Sequence, residues 1–152
     1  LQFTSTGAKD KTETFDISEL IDDIISKYEN ENIEKKIAKK IYFNGRKNLI
    51  TRCINNLLDN SVKYAKKISV NSEKKNSIIL ISIDDDGPGV DKSEFQNITK
   101  PFYKIDKSRS DSKSSVGLGL SISSDIVKSH GGDIKFNKSR LGGLKVTISL
   151  PY

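Results

Sequence analysis

Residues 77–90 read SIILISIDDDGPGV, an apolar run that passes straight into three acids and Gly-Pro-Gly. An isoleucine-rich run of this length fits a β-strand. Gly-Pro-Gly ends it, because proline lacks a backbone donor and glycine opens conformations that other residues avoid. A strand needs partners, and the chain supplies them. KISV (67–70) precedes it across the polar stretch NSEKKN, which predicts a β-hairpin. DIKF (133–136) and LKVTISL (144–150) alternate apolar and polar residues around NKSRLGG, which predicts a second hairpin. KKIAKKIYF (35–43) reads as a further strand, closed by Asn44-Gly45.

Helical periodicity fills the intervals. Ile17, Leu20, Ile21, Ile24, Ile25 and Tyr28 recur at three- and four-residue steps and mark one face of an amphipathic helix. Asp16 with Glu19 gives it a capping-box start. A second helix is predicted from about Asn48 to Lys66, with Leu49, Cys53, Leu57, Leu58 and Val62 turned inward. A third, LGLSISSDIVKS (118–129), is stopped by Gly131-Gly132. KSEFQNI (92–98) reads as a short helix, residues 1–14 as a linker or tail, and residues 104–115 as a mobile surface loop. The expected fold class is α/β (α+β): a two-layer sandwich with a mixed five-stranded sheet packed against about three helices.

Composition narrows the function. At 152 residues the chain fits one domain with a real core. Its net charge of +6 raises the question of nucleic acid, but no block of five or more Lys/Arg occurs and few aromatics lie among the basic residues. The lysine pairs therefore read as solvated faces, and no nucleic acid is expected. A single cysteine, Cys53, excludes an internal disulfide and fits a small core residue in a reducing compartment. No apolar run approaches the roughly 20 residues of a membrane span, and neither a signal-peptide pattern nor an initiator Met is present. The chain is expected to be cut from a longer protein.

Three constellations could carry chemistry. On the second helix, Asn56, Asn60, Lys63 and Tyr64 fall at i, i+4, i+7 and i+8 and share one face, opposite Leu57, Leu58 and Ala65. An amide oxygen can ligate Mg²⁺ and an ammonium can neutralise phosphate, although a polar stripe also simply faces water on most surface helices. At the end of the acidic strand, Asp85 is an acceptor suited to an exocyclic amine such as that of adenine, and Gly87 and Gly89 let a ligand approach the backbone; an ordinary strand-to-turn signal reads the same way. In SSVGLGLSI, Gly117 and Gly119 are expected to open the third helix, where free N–H groups and the helix dipole favour phosphate. A lone G-x-G is weak evidence, and neither a Rossmann fingerprint nor a Walker A loop is completed. Between these pieces lies PFYKIDKSR, where Phe102 could anchor a loop that brings Lys104 and Arg109 over a phosphate.

The order NLLDNSVKY, DDGPG, PFY, GLGLSI and a closing GG…ISLP resembles the N, G1, F and G2 boxes of the catalytic ATP-binding domain of sensor histidine kinases, within the superfamily shared with gyrase, heat-shock chaperones and mismatch-repair ATPases (the Bergerat-type fold). The match covers about residues 15–151, so 1–14 is expected to be a linker or tail from a preceding dimerisation domain and 15–152 the catalytic domain. The resemblance implies ATP and Mg²⁺ as cofactors. It implies that Asn60 coordinates the metal, with Asn56 one turn before it, and that Lys63 and Tyr64 lie near phosphate and base. It implies that Asp85 accepts from the adenine amine between Gly87 and Gly89, and that Gly117, Leu118 and Gly119 form the phosphate-side loop. Lys104 stands where the family usually carries Arg, and it lacks the guanidinium fork. Residues 104–116 would form a lid over the site.

Hydrolytic branches of this superfamily carry a Glu one turn before the metal Asn, and here that position is Asn56. An amide cannot take a proton at neutral pH. The resemblance therefore implies transfer of the γ-phosphate to a histidine on a separate phosphoacceptor domain, expected before Leu1. His130, the only histidine, ends the helix whose start should bind phosphate; its expected role is structural, as a cation at a helix C-terminus. A response-regulator receiver domain is the implied downstream partner. Membrane contact is expected only through other regions of the parent protein, with this domain on the cytoplasmic side of an inner-membrane sensor. The alternatives are a same-fold hydrolytic ATPase or serine kinase, or a degenerate protein-binding module.

Overall fold

The computed structural model describes residues 11–28, 32–100 and 114–152. Strand β1 (Glu13–Asp16) leads into helix α1 (Ile17–Ser26), followed by β2 (Asn32–Ile37) and β3 (Tyr42–Gly45). Helix α2 (Lys47–Tyr64) runs into β4 (Lys67–Lys75) and β5 (Ile78–Asp85). A 3₁₀ turn at Lys92–Glu94, helix α3 (Ser114–Ser129), β6 (Asp133–Lys138) and β7 (Leu144–Pro151) complete the order.

The main sheet is mixed and five-stranded, as the sequence predicts, and its strand order is β2-β4-β5-β7-β6. β2 pairs with β4 in parallel, so the chain must cross over between them, and α2 lies in that crossover. The other three pairings are antiparallel. Along β5, Ile79, Ile81 and Ile83 are buried while Leu80 and Ser82 are only half-buried; along β7, Leu144, Val146, Ile148 and Leu150 are buried. This period of two gives the sheet one apolar face, which packs against the helices. Each isoleucine or leucine fully withdrawn from water there contributes roughly 1.5–3 kcal/mol.

Asp16 caps α1, its carboxylate accepting from the N–H groups of Ser18 (3.0 Å) and Glu19 (3.2 Å). Leu49, Cys53, Leu57 and Leu58 are buried on α2 as expected, joined by Ile50 and Ile54, while Val62 is half-buried. Cys53 is held against α3 by a reciprocal pair: Ser123 Oγ donates to the Cys53 carbonyl at 3.0 Å, and Cys53 Sγ faces the Ser123 carbonyl at 3.8 Å.

Four local expectations are corrected. KKIAKKIYF is two strands, not one. The chain turns at Ala38–Ile41 with Lys40 at φ 59°, and β3 leaves the main sheet to pair antiparallel with β1, Phe43 opposite Phe15. Glu13 and Thr14, read as tail, therefore lie in a strand. The first hairpin is tighter than NSEKKN suggests: its strands continue to Lys75 and Ile78, and only Asn76 and Ser77 form the turn, with Asn76 at φ 57°. Finally, α3 begins at Ser114, so Gly117 and Gly119 lie within its first two turns rather than opening it.

Candidate functional site

Strand β5 aims the site. Asp85 takes the next core-face position after Ile79, Ile81 and Ile83, so the strand period that builds the core also points this carboxylate towards the helices. The three consecutive acids have three different surroundings. Asp86 is exposed and accepts from the N–H groups of Lys66 (2.8 Å) and Lys67 (2.9 Å), fixing the exit from α2; these bonds hold its pKa below the usual carboxylate value. Asp84 is buried on the opposite face of the strand and accepts from Ser139 Oγ at 2.7 Å. Asp85 is buried, and its Oδ1 accepts from Gly87 N at 3.0 Å and Leu144 N at 3.1 Å. Burial pushes the Asp85 pKa up, opposed by those two bonds and by the Ser61 hydroxyl.

Asn60 and Asp85 line one pocket, with Tyr64, Pro88, Gly89, Val90 and Leu144. The pair on which the nucleotide reading turns is therefore brought together. The space between these residues is only about 10 Å³, room for about one water, so a purine fits only if the walls part. Pro88, Gly89 and Val90 also border an open cavity of about 880 Å³ that extends to Phe95, Lys138 and Gly142. Gly89 sits at φ +73°, a conformation that favours glycine. Gly87 passes so close to α2 that a Cβ there would meet the Tyr64 carbonyl oxygen at 3.0 Å.

The Asn60 side-chain amide oxygen, Oδ1, is buried and has no hydrogen-bond partner among the described residues. A buried oxygen in that state fits a hard-cation ligand, since leaving it unpaired otherwise costs on the order of 1–3 kcal/mol. No group of three or more His, Cys, Asp or Glu side chains suited to a metal occurs among the described residues. A single neutral side-chain oxygen such as Asn60 Oδ1 fits a cation like Mg²⁺, which takes most of its shell from water and phosphate oxygens.

Asn56 is half-buried one turn before Asn60, and Gly119 of α3 lies over it: a Cβ on Gly119 would stand 3.8 Å from the Asn56 Cβ. Lys63 is exposed on the same helix. Gly117 and Leu118 lie in α3 close to its start. Ser114–Val116, assigned to the lid from the sequence, belong to the first turn of α3; Phe102, Lys104, Arg109 and the rest of the predicted lid lie outside the described residues.

His130 is structural, but not as a cation. Its Nε2 accepts from Arg46 N at 3.0 Å, which leaves Nδ1 to donate to the Ile126 carbonyl at 2.8 Å. With Nε2 accepting and Nδ1 donating, both nitrogens of a neutral ring are occupied, and burial lowers its pKa in the same sense.

The hairpin around NKSRLGG is formed as the sequence predicts, but sequence reasoning missed that its turn reaches Asp85. Gly143 N donates to the Asp85 carbonyl at 3.0 Å, and a Cβ on Gly143 would stand 2.1 Å from Asp85 Oδ1. The adjacent glycines 142 and 143 are the only sequence signal for it.

Fold and site together make a two-layer α+β domain with Asn60 and Asp85 on one pocket. The chain belongs to the histidine kinase-, DNA gyrase B-, and HSP90-like ATPase family, which matches residues 45–152. It is 30% identical over 147 residues to the sensor histidine kinase GtrS of Pseudomonas aeruginosa, covering 96% of this chain and 30% of GtrS. Its fold is that of the mycobacterial sensor histidine kinase MprB (TM-score 0.80, 23% identity, 93% of this chain and 97% of that one). Part of ShkA, in the full-length structure in complex with AMPPNP, has the same fold (TM-score 0.76, 18% identity, 94% of this chain and 31% of that one). The chain spans about a third or less of the length of curated relatives such as GtrS. No helix among the described residues is long and apolar enough to cross a membrane.

Proposed function

We propose that residues 15–152 are the catalytic ATP-binding domain of a two-component sensor histidine kinase, with 1–14 leading in from its dimerisation domain. The observation that carries this reading is the single pocket shared by Asn60 and Asp85. Asp85 accepts from the adenine amine, Gly87 and Gly89 shape the wall beside the base, and Tyr64 borders it. Asn60 Oδ1 is the side-chain oxygen that would hold Mg²⁺, and the metal would supply neutralisation of phosphate charge. Lys63 and Lys104 provide point charges towards the phosphates, and Gly117, Leu118 and Gly119 form the phosphate-side wall. ShkA, which shares the fold, was solved with AMPPNP, and this supports a nucleotide in the site.

The amide at Asn56 favours transfer over hydrolysis, because this chain then offers no base there to activate water. The acceptor is a histidine on a separate phosphoacceptor and dimerisation domain, since both nitrogens of His130 are engaged within the fold. A response-regulator receiver domain takes the phosphoryl group next. The domain works on the cytoplasmic side of an inner-membrane sensor and needs no nucleic acid. Chemistry here is mainly positioning and charge stabilisation.

The test pairs thermal stability in Mg²⁺-ADP with phosphate release from Mg²⁺-ATP by this chain alone. The reading predicts a ligand-induced rise in Tm with no sustained release. Sustained release would assign a hydrolytic ATPase instead, and the absence of any Tm rise would assign a degenerate module.

A further inference from the structure

The turn Ser139–Gly143 grips both buried acids of β5, and nothing in the nucleotide reading uses it. Ser139 is buried and is the centre of the turn. Its hydroxyl donates to Asp84 Oδ1 at 2.7 Å and accepts from Leu141 N at 3.0 Å. Its N–H donates to the Gly143 carbonyl at 2.8 Å, and its carbonyl accepts from Gly142 N at 3.0 Å. The turn so fixed delivers two N–H groups to the neighbouring acid: Gly143 N to the Asp85 carbonyl at 3.0 Å and Leu144 N to Asp85 Oδ1 at 3.1 Å. With Gly87 N on the same oxygen at 3.0 Å, Oδ1 is committed to the backbone, and the rotation of the carboxylate about its own bond is set.

Contact is as close as backbone allows. A Cβ on Gly143 would lie 2.1 Å from Asp85 Oδ1, 2.6 Å from its carbonyl oxygen and 2.7 Å from Gly87 N. Backbone atoms cannot swing aside as a flexible side chain can, so a side chain at 143 must displace the carboxylate. Leu144 then completes the device, because the residue whose N–H orients Asp85 also lines the pocket that Asp85 enters.

We propose that Ser139 and Gly143 are positioning residues for base specificity, holding the Asp85 carboxylate at the angle that accepts from a purine 6-amine. This rests on the reading of Asp85 as the base-recognising acid. The two residues act through Asp85 and do not touch the ligand themselves. A carboxylate held this way accepts from an amine and repels a 6-carbonyl, so adenine is selected over guanine. If its angle is released, the amine contact is lost while metal and phosphate contacts persist.

The experiment compares affinities for ATP and for purine riboside triphosphate, which lacks the 6-amine, in wild type, Asp85→Asn, Gly143→Ala and Ser139→Ala. Wild type is expected to prefer ATP by about tenfold to a hundredfold, the value of a hydrogen bond to a charged group. Gly143→Ala and Ser139→Ala are expected to lose most of that preference while still binding purine riboside triphosphate as wild type does. A protein that merely unfolded would lose both ligands together. Ser139→Ala, which removes atoms and adds none, serves if Gly143→Ala does not fold. Preference retained in a folded Gly143→Ala or in Ser139→Ala, but lost in Asp85→Asn, would overturn the positioning role and leave the Asp85 reading intact. No preference in wild type would overturn that reading itself.

Discussion

Arg46 donates its backbone N–H to Nε2 of His130 at 3.0 Å, joining the N-terminus of α2 to the C-terminus of α3 through one neutral imidazole. Phe43 stacks at a tilt on the same ring, 5.8 Å between centroids. Protonating Nε2 would remove an acceptor and set a cation against a donor. The folded pKa is lowered from 6.5 by burial and by the Arg46 charge. The unfolded chain therefore takes up the proton first, near pH 6.5, and stability must fall as pH drops through and below that value. Above it, the contribution is complete. Tm is expected to be level between pH 8 and 7 and to decline towards pH 5. In His130→Gln, which can still accept from Arg46 N, that part of the decline is expected to disappear.

Asp85 is raised above its ordinary 3.8, mainly by burial. For a raised carboxyl the folded state binds more protons in the window above 3.8, so the group costs stability as pH rises from 3.8 through its folded value. Asp85→Asn keeps an acceptor for Gly87 N and Leu144 N and removes the buried charge. Unliganded Asp85→Asn is expected to melt at or above the wild-type Tm at pH 7.5, while its rise in Tm with Mg²⁺-ADP is smaller than that of wild type at the same ligand concentration. A lower unliganded Tm would contradict this.

How far the site could be read from residues alone follows from which contacts are local. That Asn60 and Tyr64 share a helix face was legible because helical spacing is a local rule. Asp85 was singled out among three acids by its place at the strand end and by the family resemblance, and strand alternation explains why it stands on the face of Ile83. The five-stranded sheet was legible because strand alternation is local too. The split of KKIAKKIYF was not: β3 is defined by its pairing with β1, and no local pattern announces that partner. The hold of Ser139 and Leu144 on two acids of β5 joins residues far apart in sequence, and only the geometry of the turn reveals it. The charge of His130 was misread because its acceptor role depends on Arg46, at the start of a different helix.

Cys53 is 1% exposed and its thiol is pushed up to about 12 by burial. Thiolate is the reactive form, so the native protein at pH 8 is expected to be inert to a disulfide reagent and to react at the rate of its own opening. Rapid native-state labelling would contradict the buried assignment.

Two glycines separate crowding from backbone strain. A Cβ on Gly132 would lie 2.1 Å from the Ser149 carbonyl oxygen, whereas one on Gly142, at φ +105°, would meet nothing within 4 Å. Gly132→Ala is expected to cost about 1–3 kcal/mol or more through overpacking of backbone. Gly142→Ala is expected to cost only the strain of its φ, on the order of 1 kcal/mol. Urea midpoints with an unchanged slope would measure both; the reverse ranking would contradict the packing at the end of α3.

The central claim is that a metal ligand at Asn60 and a base reader at Asp85 serve one bound nucleotide. Calorimetric titration of ADP, in Mg²⁺ and in EDTA, tests it most directly with wild type, Asn60→Ala and Asp85→Asn. The account predicts that Asn60→Ala in Mg²⁺ binds only as wild type does in EDTA, and that Asp85→Asn is weakened about equally in both conditions. Wild-type affinity in both variants, with or without the metal, would contradict it.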